Sequence, residues 1–467
     1  MTVGDQFAPF AVKMRQAGLP ELVIHVFEHY YHQLQAGVTG FIPNDQALPV
    51  DNIPDYEELG EQHKALGYEA LDRTVVLKLN GGLGTSMGMK GPKSLLEVKD
   101  GHSFLDIIIQ QILYLRQHAD ARLPLVLMNS FSTHQDTQTA LTKYPELKQG
   151  LPLTFLQHKV PKIDQVTMGT VDWPDDPDKE WCPPGHGDIY AALLTSGTLD
   201  KLLDGGYEYA FVSNSDNLGA VMDLGILGYM VAERLPFLME VAYRTLADSK
   251  GGHLARRPDG QLILRELAQC PANELEQFQD VDHYRFFNTN NLWIHLPSLH
   301  RIIREQEGVL GLPMIRNKKT VDAAKPDSPS VFQLETAMGS AIAVFPLAQA
   351  MRVPRARFVP VKRSNDLLLL WSDVYRLSEE HHIELAPDRH VGPARRPPLV
   401  FLDNRYYQLI DDLRRRFPHG APSLRQCLEL RLEGDIIFGK DVILEGNVHI
   451  INRSDGPLHI QDDTRIG

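Results

Sequence analysis

The segment Leu79-Asn80-Gly81-Gly82-Leu83-Gly84-Thr85-Ser86-Met87-Gly88-Met89-Lys90-Gly91-Pro92-Lys93-Ser94 is built to hold an anion. Five glycines fall between positions 81 and 91, and the loop closes on Lys93. Glycine lets backbone N–H groups converge on a charged oxygen without a Cβ between them, and the lysine adds a point charge. Phosphate is the ligand this pattern fits. Spacing excludes two common phosphate loops. A Walker A loop has Gly directly before its Lys-Ser, where this chain has Pro92. A dinucleotide fingerprint counted from Gly82 needs Gly at its sixth position, which is Met87.

Other residues bring complementary chemistry. Asn214-Ser215-Asp216-Asn217-Leu218-Gly219 follows an apolar run and sets one carboxylate at a strand end. Magnesium is held by one or two carboxylates together with phosphate oxygens and water, so Asp216 beside the glycine loop would suffice. The same pattern also makes an Asx turn. Gln157 closes another apolar run, and its amide offers a donor and an acceptor at once. Pro183-Pro184-Gly185-His186-Gly187-Asp188 reads as a turn opening a helix, with Asp188 as the N-cap and free amides facing an anion. His186 can hydrogen-bond a phosphate or a hydroxyl.

These loops need a scaffold that brings them to one edge. Thr74–Leu79, Leu123–Met128, Leu153–Gln157 and Tyr209–Ser213 read as short strands. Residues 104–118, 133–144 and 189–203 read as helices between them. Such alternation predicts a doubly wound α/β core with ligands at the carboxyl ends of the strands, where Asn80-Gly81 and Asn214-Ser215-Asp216 both fall. Residues 7–34 read as helices broken at Gly18-Leu19-Pro20, and 37–55 as a linker. The expected division is therefore an N-terminal helical segment with its linker over 1–55, a catalytic domain over 56–365, and a C-terminal domain over 366–467. In that last part Ile436, Val442 and Val448 recur every six residues, as do Phe438, Leu444 and Ile450, a hexad pattern starting at about 434. A constant period of this kind predicts a parallel β-helix.

Composition narrows the function classes. A 43% hydrophobic, 23% charged chain of 467 residues has room for two or three domains. Its formal charge of −13 opposes non-specific nucleic-acid binding, so no nucleic acid is expected as a partner. Cys182, Cys270 and Cys427 are too scattered for a disulfide framework or a zinc knuckle. No apolar run nears the ~20 residues of a membrane span, and Met1 to Phe10 lacks a secretory pattern. The expectation is a cytoplasmic protein with no membrane contact.

Leu-Asn-Gly-Gly-Leu-Gly-Thr followed by Gly-Pro-Lys-Ser resembles the eukaryotic-type UTP–glucose-1-phosphate uridylyltransferase (UDP-glucose pyrophosphorylase) family. Further segments match in family order: Asn214 to Gly219, Phe287-Asn288-Thr289-Asn290-Asn291-Leu292-Trp293, Gln333 to Gly339, and Val359 to Leu368. The resemblance implies a Rossmann-like nucleotidyltransferase core and a left-handed β-helix at the end. It implies that Leu79, Asn80, Gly81 and Gly82 line the nucleotide, that Lys93 meets the UTP phosphates, and that Gln157 reads uracil. Gly185 and His186 would contact nucleotide and sugar phosphate; Asn214, Ser215 and Asp216 would line the substrates, with Asp216 the ligand of Mg2+. Asn290 and Glu335 would bind glucose hydroxyls, although a structural hydrogen bond suits Glu335 equally. Lys362 would be a second catalytic cation beside Lys93, on the leaving group. Arg363 stands where the family has Thr or Ser, and residues 318–331 lack the family's glycine-containing turn.

The reaction so implied transfers the uridylyl group of UTP to glucose-1-phosphate. The attacking phosphate has a second pKa of about 6 and is already largely dianionic at neutral pH, so no general base is required. Lysines, amides and a metal carboxylate are what such a transfer needs. Galactose-1-phosphate or N-acetylglucosamine-1-phosphate as acceptor, or a catalytically silent nucleotide-sugar-binding protein, are the alternatives. His25-Val26-Phe27-Glu28-His29 has the spacing of one zinc peptidase class, but His32 continues its face amid Val23, Phe27, Tyr30 and Tyr31, as in an amphipathic helix. Asp462, Asp463 and Arg465 crowd the last rung, and edge charge opposes strand pairing, which predicts a monomer or at most a dimer.

Overall fold

The computed structural model describes residues 3–389 and 396–467; Met1 and Thr2, where the N-terminal reading began, lie outside them. Each apolar run expected to be a strand forms one, as Thr74–Asn80, Leu125–Asn129, Thr154–Leu156 and Tyr209–Asn214. All four run parallel. Thr74–Asn80 lies between Leu125–Asn129 and Tyr209–Asn214, and Thr154–Leu156 flanks the former. Strand order therefore reverses at Thr74–Asn80, and a crevice opens at the carboxyl ends of its strands.

Alternate side chains feed two cores. Val76, Leu125, Leu127 and Phe211 pack with Ile107, Ile108 and Ile112 of the helix Phe104–Ala119, while Val75, Leu77, Val126 and Val212 pack with Ile189 and Leu193. Burial on both faces explains why these strands read as continuous apolar runs. Ser103 caps the Phe104–Ala119 helix by accepting from Asp106 N, and the Asp106 carboxylate in turn accepts from Ser103 N.

The helix expected over 189–203 is two helices, Ile189–Thr195 and Thr198–Asp204. Gly197 between them sits at φ +67°, a left-handed conformation that ends the first helix. The sheet also extends beyond the strands expected from sequence. Phe286–His295 pairs antiparallel with Tyr209–Asn214, and Phe237–Tyr243 and His253–Arg256 pair antiparallel with Phe286–His295. The central sheet is thus mixed, parallel on the glycine-loop side and mainly antiparallel beyond it, where Phe237–Tyr243 also pairs in parallel with Gln349–Arg352. The linker 37–55 is held on this far edge: Leu48 and Arg256 exchange N–H···O bonds of 2.8 Å in both directions.

Lys78 interrupts the apolar run. It is 2% exposed, and its ammonium donates to Ser213 Oγ and the Ala220 carbonyl at 2.7 Å each. Burial first, then the Arg357 charge, lowers its pKa to about 7. An unfolded lysine keeps its proton to about 10.4, so between pH ~7 and ~10 the unfolded chain holds more protons at this site. Its contribution to stability therefore rises with pH across that window. Lys78→Met should flatten the pH dependence of the urea midpoint there; an unchanged slope would contradict the assignment.

The N-terminal helices Val3–Gln16 and Glu21–Gln35 pack through Phe10, Phe27 and Tyr31 and seat on Val160, Ile163 and Leu334. His29 hydrogen-bonds Gln33 at 2.8 Å, and among the described residues no group of three or more His, Cys, Asp or Glu side chains could hold a metal. At the other end, Leu399–Leu402, Ser423–Glu433, Ile443–Ile451 and Arg465–Ile466 form a parallel ladder, and Ile436–Phe438 pairs in parallel with Leu458–Ile460. The hexad residues Ile436, Phe438, Val442, Leu444 and Val448 are buried, whereas Leu458 is exposed. One helix, Ser364–Trp371, spans the expected boundary at 365. No helix among the described residues is long and apolar enough to cross a membrane.

Candidate active site

The crevice at the strand ends gathers the glycine loop and the Asp216 loop. Leu83 bridges to Pro92, and Lys93 N donates to Gly82 O at 3.0 Å, so the loop folds back on its own stem. That turn brings Lys93 Nζ to 2.6 Å from Asp216 Oδ2, an ion pair with side chains 15% and 25% exposed. Ser215 fastens the two strand ends, donating from its backbone N and its Oγ to Leu79 O at 3.1 and 2.8 Å. Asn80 is 2% exposed, and its side chain donates to Asn129 Oδ1 and Thr137 Oγ1. These two side chains build the crevice, leaving backbone and Lys93 to face it. Gly81 O takes the Ser130 hydroxyl, and Gly82 has open space where a Cβ would stand.

Gln157 joins the crevice to the Pro183–Asp188 turn by donating to Gly185 O at 2.9 Å. Gly185 sits at φ +80°, and a Cβ there would lie 2.4 Å from Thr336 O, so only glycine fits. His186 Nδ1 accepts from Met338 N at 2.9 Å, which places the ring proton on Nε2. Burial lowers the His186 pKa to about 4, so the ring is neutral at physiological pH and is a hydrogen-bond donor rather than a cation. Asp188 does not cap its helix with its side chain. Its carboxylate instead takes His158 N at 2.7 Å and the His158 ring at 2.9 Å, locking the turn against the end of the Gln157 strand.

Asn290 lies on a bulge. Phe286–His295 slips register against Phe237–Tyr243 between Glu240 and Val241, and Asn290 takes φ +59°. A non-glycine residue in that conformation is strained, and a bulge re-aims side chains. Asn288 stabilises it, donating to Asn290 Oδ1 at 2.8 Å and accepting from Asn290 N at 2.9 Å. Glu335 packs against the Pro183–Asp188 turn, its Cβ 3.0 Å from where a Cβ on Gly185 would stand. Its pKa is raised, mainly by burial, with Asn317 opposing the rise, and it lines a cavity with Tyr30, Pro184, Gly187 and Leu334. In the hairpin across 318–331, Lys162 Nζ donates to Val321 O and Lys179 pairs with Asp322.

Lys362 approaches from the third side. Val361 N donates to Asp216 O at 3.2 Å, and Lys362 N to Asp366 Oδ2 at 2.7 Å. The Lys362 side chain is exposed, its Nζ 5.9 Å from the Phe358 ring centre. Burial raises the Asp366 pKa, and the charges of Lys362 and Lys93 both oppose that rise. Arg363 begins the Ser364–Trp371 helix, its N donating to Asp366 Oδ2.

One carboxylate escaped the sequence reading. Glu266 ends the short strand Leu262–Arg265 beside Gly252, where a Cβ would meet its carboxylate at 2.5 Å; Gly252 O in turn accepts from Asn288 N at 3.0 Å. Burial raises its pKa and the Lys362 charge opposes the rise. Glu266 therefore lies one backbone contact from the asparagine bulge, within reach of the Lys362 charge. A lone carboxylate after a four-residue strand carries no pattern that would single it out.

The assembled groups suit two phosphorylated substrates. The model of the UTP--glucose-1-phosphate uridylyltransferase family matches residues 24–445. The probable UTP--glucose-1-phosphate uridylyltransferase of Schizosaccharomyces pombe is 42% identical over 415 residues, covering 87% of this chain and 79% of that one. The Solanum tuberosum UTP--glucose-1-phosphate uridylyltransferase is 40% identical over 422 residues, covering 90% and 85%. A crystal structure of a mutant UDP-glucose pyrophosphorylase from Leishmania major in complex with UDP-glucose superposes with a TM-score of 0.92 at 44% identity, covering 100% of this chain and 99% of that one. This chain belongs to the UTP–glucose-1-phosphate uridylyltransferase family.

Proposed function

We propose that the protein transfers the uridylyl group of UTP to glucose-1-phosphate, giving UDP-glucose and pyrophosphate. The observation that carries the reading is the Lys93–Asp216 contact across the glycine loop, with Lys362 on the adjoining segment. A glucose-1-phosphate oxygen attacks the α-phosphorus of UTP in line, the bond to the β-phosphate oxygen breaks, and pyrophosphate leaves with that electron pair. No covalent enzyme intermediate forms. Lys93 meets charge on the transferring and leaving phosphates, and Lys362 meets it on pyrophosphate. Neutral His186 donates Nε2–H to a phosphate oxygen, and Gln157 reads uracil with the amide edge that its Gly185 bond leaves open. Asn290 binds sugar hydroxyls, with Glu335 beside Gly185 or Glu266 beside Gly252 as the carboxylate acceptor.

Asp216 is the ligand proposed for Mg2+. Its carboxylate is partly exposed and already neutralised by one cation, and a single carboxylate with phosphate oxygens and water is the donor set this ion takes. The ion, when bound, supplies charge compensation to the phosphates. Arrival of the nucleotide exchanges the Lys93–Asp216 pair for contacts with phosphate. The C-terminal parallel ladder is read as a left-handed β-helix that caps the domain. A monomer or at most a dimer is proposed, since charge at Asp462, Asp463 and Arg465 opposes strand pairing. The cytoplasm is proposed because all three cysteines are free thiols.

Pyrophosphate release measured with a panel of sugar-1-phosphates and nucleotides tests the reading. Glucose-1-phosphate with UTP should give the highest kcat/KM, ahead of galactose- and N-acetylglucosamine-1-phosphate and of ATP or dTTP. A higher value for another acceptor would replace glucose in the assignment, and release with none would favour a silent binding protein.

A further inference from the structure

Asn217 follows the proposed metal ligand, is 2% exposed, and uses every hydrogen-bonding position of its amide. Its nitrogen donates to Asn291 Oδ1 at 3.3 Å and to Arg357 O at 3.1 Å. Its oxygen accepts from Gly219 N at 3.2 Å and from Val359 N at 2.8 Å. Those partners belong to three separate parts of the site. Asn291 adjoins the strained Asn290 on the bulge. Gly219 closes the Asp216 loop. Val359 leads through Pro360, which bridges to Asn217, and Val361, which donates to Asp216 O, into Lys362.

The contact between the two loops is close. A Cβ on Gly219 would lie 2.3 Å from Ala356 O, so the Asp216 loop lies flush on the segment that delivers Lys362. Asn291 repeats the linkage, its nitrogen reaching Arg357 O at 3.3 Å and Glu240 Oε2 at 3.0 Å. None of these side chains reaches the crevice.

We infer that Asn217 is a positioning residue: its single buried amide fixes the Lys362 segment and the sugar-facing bulge relative to Asp216. The inference rests on the roles proposed above for Asp216 and Lys362. An amide is required because the four partners are two acceptors and two donors, and no other side chain of this size supplies both pairs. Asn217→Asp keeps the shape but turns a carboxylate oxygen toward Asn291 Oδ1 and Arg357 O. Asn217→Ala removes all four bonds.

Misplacing a reacting group by about 1 Å costs up to about 10²-fold in rate, which sets the effect expected on kcat for Asn217→Ala. A residue acting through Lys362 has a second signature. Lys362→Ala should cost much less kcat in the Asn217→Ala background than in the native protein, because the cation is already displaced there. A residue that only stabilises the fold would leave the two effects multiplicative. The experiment is a kinetic double-mutant cycle of Asn217→Ala and Lys362→Ala, repeated with Asn217→Asp, on protein whose circular dichroism matches the native enzyme at the assay temperature. A less-than-multiplicative cycle with a loss in kcat supports the inference. Multiplicative effects, or Asn217→Ala and Asn217→Asp both within twofold of native kcat while Lys362→Ala is impaired, overturn it alone. A Lys362→Ala enzyme with native kcat overturns the proposed role of Lys362 together with the inference. If Asn217→Ala does not fold, the Asn217→Asp cycle decides by the same criteria.

Discussion

Replacing Lys93 with Ala is expected to lower kcat by about 10²–10³-fold, or ~2.7–4 kcal/mol of transition-state stabilisation. The ammonium lies at the end of the glycine loop, partly buried, where a developing negative charge is poorly screened by water. The Lys93 N–Gly82 O bond fixes its backbone at the crevice, and Asp216 holds the ammonium in the free enzyme until phosphate replaces that contact. Steady-state kinetics at saturating UTP and glucose-1-phosphate check this. A variant with near-native kcat and only a raised KM would make Lys93 a uniform binding contact instead. The same substitution leaves Asp216 without its ion-pair partner, so the free enzyme should bind a divalent cation more readily in the absence of nucleotide.

The second large effect is on stability. Arg357 donates to both carboxylate oxygens of Glu240, at 2.7 and 2.6 Å, with the two side chains only 8% and 0% exposed. Glu240 also accepts from Trp293 Nε1 at 2.8 Å and from Asn291 Nδ2. Removing one member of a buried pair strands the other charge at a cost of about 3–5 kcal/mol. Arg357→Met should therefore lose that much in urea unfolding. Adding Glu240→Gln keeps an acceptor for Trp293 while removing the stranded charge, and should recover at least half of the loss. Equal stability of the single and double variants would contradict the pairing as the source of the effect.

Much of this architecture was legible in the chain because it is local. Val75 to Leu79 ends in a glycine break, so the strand and its phosphate loop could be read together. The hexad residues from Ile436 to Val448 are buried as their period requires, whereas Ile450, which continues it, is only partly buried. What depends on distant contacts was not legible. Lys93 and Asp216 are both visible as candidates, but only folding shows that they touch. The strand Phe286–His295 was not legible because Asn288, Asn290 and Asn291 break its apolar pattern where the bulge forms. The helix over 189–203 read as continuous because one glycine is compatible with a helix, and only its φ reveals the break. Asp188 looked like a cap from its place in the turn, yet His158, whose approach is set by the neighbouring strand, claims its carboxylate. Glu266 carries no local signature, and Asn217, although it stands in the legible Asn214–Gly219 segment, shows its role only through Asn291, Arg357 and Val359 from other parts of the chain.

The central claim is direct transfer between two bound substrates. A single-turnover experiment with excess protein, Mg2+, glucose-1-phosphate and UTP labelled at the α-phosphorus tests it most directly. The account predicts that label passes from UTP to UDP-glucose in step with pyrophosphate release, that no protein-bound label appears, and that nothing is released when glucose-1-phosphate is left out. Label trapped on the protein, or pyrophosphate released from UTP alone at the same rate, would contradict it.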